Sequence, residues 1–415
     1  MTQIDEAVRE LVSQLDLAGT GGLGDCRFLL RLAGEKHGFA VNSEGLHSEP
    51  ETGLNSSWDF DITLDAAIWQ AMCTSPAPRG FTSAQAVVAT VGEEVIRGDR
   101  QTWARYAVVV DRVVAGVRDR VRGGAAPRHP EPPRRSAGLS PITGRYLTVD
   151  VEGSSRRLYF EESGHGQPVL CLHTAGADSR QFRYLLENQQ LLERYRFIAF
   201  DMPWHGRSEP PDDWSSTRYS LDTATYAATV LAVQRALELT APILMGCSMG
   251  GAIALYLASR HGESYRGVCA LEGGLGNPGR FINWTNTLEA DHSAFLTSWV
   301  GGLIAPSSPT GPRNQTLWGY AQSGPGVYQG DTHFYSNDLP HIAASLGPAQ
   351  CPLYVFSGEY DYSATTEMSR EAADRLGGVL IEMKGAGHFP MSEDPEAFLQ
   401  HLVPVLNKLT DDCSK

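Results

Sequence analysis

Three residues, widely spaced in the chain, have the types and settings that nucleophilic acyl chemistry needs. Ser248 stands in "GCSMG", a G-x-S-x-G run with Gly246 and Gly250 on either side. The apolar "PILMGCS" leads into it and "MGGAIALYLASRH" leads out, which predicts a buried strand turning at the serine into a helix. A serine hydroxyl is a weak nucleophile and needs a base, and the base needs an acid to orient it. Asp361, three residues beyond Gly358 in "YVFSGEYDYSAT", and His388, in the glycine-flanked "KGAGHFP", each follow a strand-like apolar run. All three are therefore expected at strand C-terminal ends on one side of one sheet. Glu272, which ends "GVCALEG", is a second candidate for the acid. The helix after Ser248 would bring partial positive charge and free N–H groups to a developing oxyanion.

The elements that must hold these residues are legible from residue 142 onward. "PVLCLH" (168–173), "YRFIAFD" (195–201), "PILMGCS" (242–248), "YRGVCALEG" (265–273), "PLYVFSG" (352–358) and "GVLIEM" (378–383) read as buried strands. Helical patterns at 183–193, 221–239, 250–261 and 369–376 alternate with them, while "RYLTVDVEG" and "RRLYFEES" read as an antiparallel pair at a sheet edge. This alternation predicts an α/β fold, a parallel sheet covered on both faces. Residues 276–347 interrupt it and carry Trp284, Trp299, Trp318, Tyr320, Tyr328, Phe334 and Tyr335.

"VRGGAAPRHPEPPRRS" (121–136) separates this region from an earlier one, since prolines at 127, 130, 132 and 133 exclude helix and central strand. Residues 126–141 form the expected linker. Before it, 4–15 has the spacing of an amphipathic helix, and 27–34, 37–45 and 58–64 read as strands. In the last, Trp58, Phe60 and Ile62 alternate with Asp59, Asp61 and Thr63. Helical patterns at 65–73, 81–97 and 100–121 complete a small α+β domain over 1–125. It holds no cluster of catalytic type, which leaves shaping, docking or dimerising (a homodimer) as its expected roles.

Composition narrows the partners. With 42% apolar and 20% charged residues the chain can bury a sizeable core. A net charge of −14 argues against nucleic acid, which needs clustered Lys and Arg. No apolar stretch reaches the length of a membrane span, and "MTQIDEAVREL" is unlike a secretory signal. Seven scattered cysteines form neither CxxC pairs nor a disulfide framework, so a cytoplasmic location is expected. No His/Cys spacing suggests a metal site, and "GGLGD" (21–25) lacks the pattern of a phosphate loop.

"LCLHTAG", "FDMPWHGRS", "GCSMGG", "SGEYDYS" and "GAGHFPMSEDPEAF" together resemble the successive signature blocks of the α/β-hydrolase superfamily over residues 142–408. The resemblance implies a nucleophile at Ser248, a general base at His388, an orienting acid at Asp361 and no cofactor. It implies oxyanion donors at the amides of Met249 and Ala175, although "HTAG" departs from the usual His-Gly. It also implies a core at 142–275 and 348–415 and a cap at 276–347. Trp204, Trp284, Trp318 and Tyr328 are the candidates for lining an apolar substrate pocket. Arg180, Arg183 and Arg207 are candidates for a substrate carboxylate. His173 and His205 are expected to be structural, and Cys247, next to the nucleophile, to point away. A serine at the elbow argues against epoxide or haloalkane chemistry. The expected activity is hydrolysis of an ester of a hydrophobic small molecule. Cleavage of a C–C bond next to a ketone and non-catalytic lipid binding are the alternatives. Residues 5–120, through "NSEG" and "VIRGDRQTWARY", weakly resemble sterol-carrier-like lipid-binding domains.

Overall fold

The structure is a computed structural model, and it describes residues 2–15, 24–49, 57–135, 137–278 and 292–411. The chain divides into two compact units, one holding Met1–His129 with Trp284–Ser307, the other Pro130–Asn283 with Ser308–Lys415.

In the first unit β1 (Cys26–Leu32), β2 (Glu35–Asn42), β3 (Gly45–Glu49), β4 (Phe60–Leu64) and β5 (Ile96–Gly98) form a sheet in the order β3-β2-β1-β4-β5. Ala33 and Gly34 both take positive φ, 52° and 93°, which suits a two-residue turn between twisted strands. Phe28 stacks on Phe39 and Phe60 across β1, β2 and β4. The Arg100–Val121 helix buries Trp103, Tyr106 and five valines. Gly116 on it makes room for Leu11 of the Gln3–Val12 helix, where a Cβ would meet Leu11 Cδ1 at 2.4 Å. The expected helix over 81–97 ends early. Gly92 at φ 129° stops it after Val91, and Ile96–Gly98 pairs instead with β4 as an edge strand.

The same unit takes a helix from far along the chain. His292–Gly301 falls inside the segment expected to be a cap, yet it packs on the Arg100–Val121 helix. Phe295 meets Trp103 edge-on with ring centres 6.3 Å apart and stacks on Trp299 at 5.6 Å. The Ser298 hydroxyl donates to the Asp111 carboxylate, and Thr82 Oγ1 donates to the Gly302 carbonyl at 3.0 Å. The stretch 276–347 is thus divided between the two units rather than forming one cap.

The second unit is built on β6 (Thr143–Val151), β7 (Ser154–Gly164), β8 (Gln167–Leu172), β9 (Tyr195–Phe200), β10 (Ile243–Cys247), β11 (Gly267–Leu271), β12 (Leu353–Gly358) and β13 (Val379–Met383). Their order is β13-β12-β11-β10-β8-β9-β7-β6, with β8 to β13 parallel and the β6–β7 hairpin antiparallel at one edge. Side chains alternate between two apolar layers: Leu170 and Leu172 enter one, Val169 and Cys171 the other. The chain passes from β8 to β9 on one side and returns to β10 on the other. The crevice beyond β8 and β10 is therefore the topological switch point, where such sheets bind ligands. The predicted helix over 183–193 is two short ones, Arg183–Leu186 and Gln189–Leu192, because the Asn188 side chain caps the second at the Leu191 amide.

Candidate active site

β10 ends at Cys247 and the Met249–His261 helix starts at Met249, leaving Ser248 alone in the corner at φ 55°, ψ −113°. A non-glycine residue held there costs about 1–3 kcal/mol and persists only where its surroundings impose it. Close backbone approaches impose it here. A Cβ on Gly246 would lie 2.1 Å from the Gly250 carbonyl oxygen, and one on Gly250 2.3 Å from that of Leu172. The Ser248 N–H donates to the Leu271 carbonyl at 2.8 Å, tying the corner to β11. From Pro242 to Leu255 every residue except Ser248 is buried. The turn lifts one hydroxyl out of an otherwise closed core. Gly250→Ala is accordingly expected to cost about 1–3 kcal/mol of stability through overpacking, seen as a lower urea midpoint. Gly319→Ala, at a helical position with open space around it, should leave the midpoint unchanged or raise it.

His388 and Asp361 meet above neighbouring strands. His388 Nδ1 lies 2.5 Å from Asp361 Oδ2, and both residues are buried. The carboxylate can only accept, so Nδ1 carries a proton, and in the neutral ring Nε2 is then the nitrogen with the lone pair. The other oxygen, Oδ1, accepts from the amides of Ser363 and Ala364 at 2.6 and 3.1 Å, which fixes the carboxylate plane. The His388 turn is held by Glu393, fully buried, whose Oε1 and Oε2 accept from the amides of Gly387 and Phe389 at 2.7 and 3.2 Å. The Cys247 thiol donates to the His388 carbonyl at 3.3 Å, which brings this turn against the residue preceding Ser248. Burial pushes that thiol well above its usual pKa, so it stays protonated and is no competing nucleophile.

The loop after β8 has its amides assigned almost completely. The Thr174 N–H donates to Gln181 Oε1 at 3.0 Å, that of Gly176 to Asp331 Oδ2 at 2.7 Å, and that of Ala177 to the Thr174 carbonyl at 3.2 Å. Among the described residues, the N–H groups of Ala175 and of Met249, at the start of the helix, have no protein acceptor.

Asp331, fully buried, braces this loop. Besides Gly176 it accepts from Tyr219 Oη and His205 Nε2, both at 2.8 Å. His205 Nδ1 faces the Pro203 carbonyl at 2.9 Å. Both its partners only accept, so both ring nitrogens donate and the imidazole is a cation. Burial alone would lower the His205 pKa, but the Asp331 charge holds it above the usual value. His173 is the opposite case. Its Nδ1 donates to the Thr174 carbonyl at 2.8 Å and its Nε2 accepts from the Met202 amide at 3.1 Å, as a neutral ring must. Burial, then the adjacent His205, pushes it down to about 4. Both histidines hold loops.

A narrow cleft of about 20 Å³ opens at Ser248, lined among others by Met249, Ala252, Glu272, Asn277, Tyr335 and Met368. The expected aromatics do not gather there. Trp318 lies on the Thr310–Ala321 helix, 63% exposed, and Trp284 falls outside the described residues. Trp204, at φ 74°, lines a separate cavity with Tyr219 and Arg156. Tyr328 packs over Gly176, where a Cβ would meet its ring at 3.0 Å. The three candidate arginines are paired with protein carboxylates, Arg180 with Asp178, and Arg207 and Arg183 with Glu161. Among the described residues only Asp5, Glu35 and His37, in the first unit, bring three metal-capable side chains together. There the two His37 nitrogens face different carboxylates, Nδ1 that of Asp5 at 3.8 Å and Nε2 that of Glu35 at 3.6 Å. No helix among the described residues is long and apolar enough to cross a membrane.

A family model described as the alpha/beta hydrolase family matches residues 169–401, just over half of the 415 residues. The chain belongs to that family. This alpha/beta hydrolase is 38% identical over 118 residues to the AB hydrolase superfamily protein YisY of Bacillus subtilis, across 28% of this chain and 40% of that protein. It is 34% identical over 128 residues to the 2-hydroxymuconate semialdehyde hydrolase of a Pseudomonas species, across 31% and 42% of the two chains. The chain thus spans about two fifths of the length of these relatives. Among solved structures it resembles an esterase from Thermogutta terrifontis, with a TM-score of 0.55, 18% identity and coverage of 64% of this chain and 99% of the other. An enol-lactonase from Burkholderia xenovorans gives 0.54 at 20% identity, covering 63% and 100%. At these identities the likeness concerns the fold.

Proposed function

We propose that this alpha/beta hydrolase is a serine enzyme that hydrolyses a carboxylic ester of a hydrophobic small molecule through an acyl-enzyme on Ser248. The observation that carries the reading is the 2.5 Å contact between His388 Nδ1 and Asp361, which leaves Nε2 as the basic nitrogen. His388 takes the Ser248 proton as Oγ attacks the ester carbonyl, and returns it to the departing alkoxide. The negative oxygen of each tetrahedral intermediate sits on the amides of Ala175 and Met249, where one such donor is worth about 3–4 kcal/mol. Water, deprotonated by His388, then attacks the acyl carbonyl and frees Ser248. Met249, Ala252, Tyr335 and Met368 give the cleft beside Ser248 a largely apolar wall, which supports an apolar group on the substrate.

A second reading, hydrolysis of a C–C bond beside a ketone, is favoured by the likeness to a semialdehyde hydrolase over 128 residues. The same three residues would serve it, with a carbanion as leaving group in place of an alkoxide. Fluorophosphonate treatment followed by peptide mapping tests the nucleophile: a single adduct is expected, on Ser248. An adduct elsewhere would exclude both readings. A panel of p-nitrophenyl esters against β-diketones and vinylogous ketones decides the bond. A kcat/KM preference of more than about 100-fold for the ketones would reverse the order of the two.

A further inference from the structure

A second acid lies buried behind the candidate catalytic residues. Glu272 follows β11 directly, takes φ 48° although it is not a glycine, and is fully buried. Its Oε2 accepts from the Gly358 amide at 2.8 Å. Its Oε1 is buried with no donor among the described residues, and the carboxyl lies within hydrogen-bonding reach of Asp361. The ionisable groups around it are Asp361 from the β12 turn, Glu393 from the segment after β13 and the Cys247 thiol at the end of β10. Each is acidic. The cation that could form nearest, His388, is on Asp361.

Two carboxyl groups in contact and out of water cannot both ionise. Asp361 has the stronger claim to the charge, since its oxygens accept from Ser363 N, Ala364 N and His388 Nδ1. Glu272 has one such donor. Burial, and after it the Asp361 charge, holds the Glu272 carboxyl well above the usual carboxylate range. A neutral carboxyl has what an ionised one lacks, an O–H to give, and an otherwise unpartnered oxygen facing a carboxylate is where it would be given.

We propose that Glu272 is a neutral carboxylic acid that donates a hydrogen bond to the Asp361 carboxylate and thereby sets how strongly Asp361 holds the proton of His388. Glu272 borders the cleft at Ser248, and in this role it is a positioning residue that acts through Asp361. The donated bond draws charge from Asp361 and keeps His388 less basic than a bare aspartate would make it. His388 then stays unprotonated, and able to act as a base, to lower pH. The proposal rests on the serine-hydrolase reading, and its test separates the two.

The readout is the pH dependence of Ser248 inactivation by a fluorophosphonate, which needs no knowledge of the natural substrate. The acidic limb of that profile reports His388 in the free enzyme. Glu272→Gln keeps a neutral donor, so its limb should coincide with that of the wild type. Glu272→Met keeps the volume but removes the donor, and its limb should move up by about 0.5–1 pH unit. A downward shift of a unit or more in Glu272→Gln would mean that the native residue is ionised, and overturns the proposal. An unmoved limb in Glu272→Met, with Ser248 still labelled, also overturns it. Should Glu272→Met not fold, the infrared difference between wild type and Glu272→Gln at neutral pH decides. Loss of a protonated carboxyl band supports the proposal, and its absence overturns it. No labelling of Ser248 in the wild type would instead overturn the hydrolase reading, and this role with it.

Discussion

Ser248→Ala is expected to lower turnover by about 10⁶-fold, Asp361→Asn by about 10⁴-fold, and the double variant by no more than Ser248→Ala alone. The first figure reflects loss of the bond-forming atom, which His388 and the oxyanion amides cannot replace. The second has a different origin. Asparagine can turn its amide nitrogen toward His388 Nδ1, and a donor there accepts no proton from the ring. Nδ1 would then become the acceptor and Nε2 would carry the hydrogen, so the nitrogen meant to act on Ser248 would no longer be a base. Because the three residues act in one proton path, their losses do not add. Steady-state rates on a p-nitrophenyl ester, with the fold checked by circular dichroism, measure all three variants. A double variant much slower than Ser248→Ala would mean that Asp361 also acts outside this path. An Asp361→Asn enzyme within tenfold of the wild type would point to Glu272 as the working acid.

That last comparison marks the limit of what the residue order could say. "GVCALEG" and "YVFSGEYDYS" each end a buried strand with an acid, so the sequence alone left Glu272 and Asp361 both open. The choice depends on which carboxylate faces His388 Nδ1, and the structure puts Asp361 there at 2.5 Å. Ser248 was legible because its glycines are a local demand. Gly246 meets the Gly250 carbonyl across the elbow and Gly250 meets that of Leu172 on the neighbouring strand, so the spacing itself carries the information. Asp331 and Glu393 carried no such mark. Each is an acid in or beside a helical stretch, and its meaning comes from amides at Gly176, Gly387 and Phe389 that only the folded chain brings to it. The sign available was faint: Glu393 lies five residues past His388 in "HFPMSEDP", near enough to bond back to the turn.

The aromatic residues of 276–347 show the same limit for packing. Residue type marks Trp299 and Trp318 alike as apolar, yet one is 5% and the other 63% exposed. "AFLTSWVGGLIAP" announces a buried helix, but an apolar face does not name its partner. Here the partner is a helix that ends about 170 residues earlier in the chain, at Val121. The small unit is therefore closed by a piece of chain that leaves the larger one and returns to it.

That connection makes deletion of residues 1–129 a severe change, although every matched signature block follows them. The deletion strips the Arg100–Val121 helix from Phe295, Leu296, Trp299 and Val300, each at most 5% exposed in the intact protein. Exposing one such side chain costs about 1.5–3 kcal/mol, so the four together cost about 6–12 kcal/mol. That is as large as the whole stability of a typical domain. The truncated chain has another route, which is to bury this apolar patch against other copies of itself. It is expected to collect in the insoluble fraction, or to elute from a sizing column as large aggregates. The cause can be isolated by repair: adding Phe295→Ser, Leu296→Gln, Trp299→Gln and Val300→Thr to the truncated chain should return it to solution. If the helix face is the only fault, fluorophosphonate should then label Ser248 in the repaired protein. A soluble, monomeric truncation without these substitutions would show that the His292–Gly301 helix finds other cover.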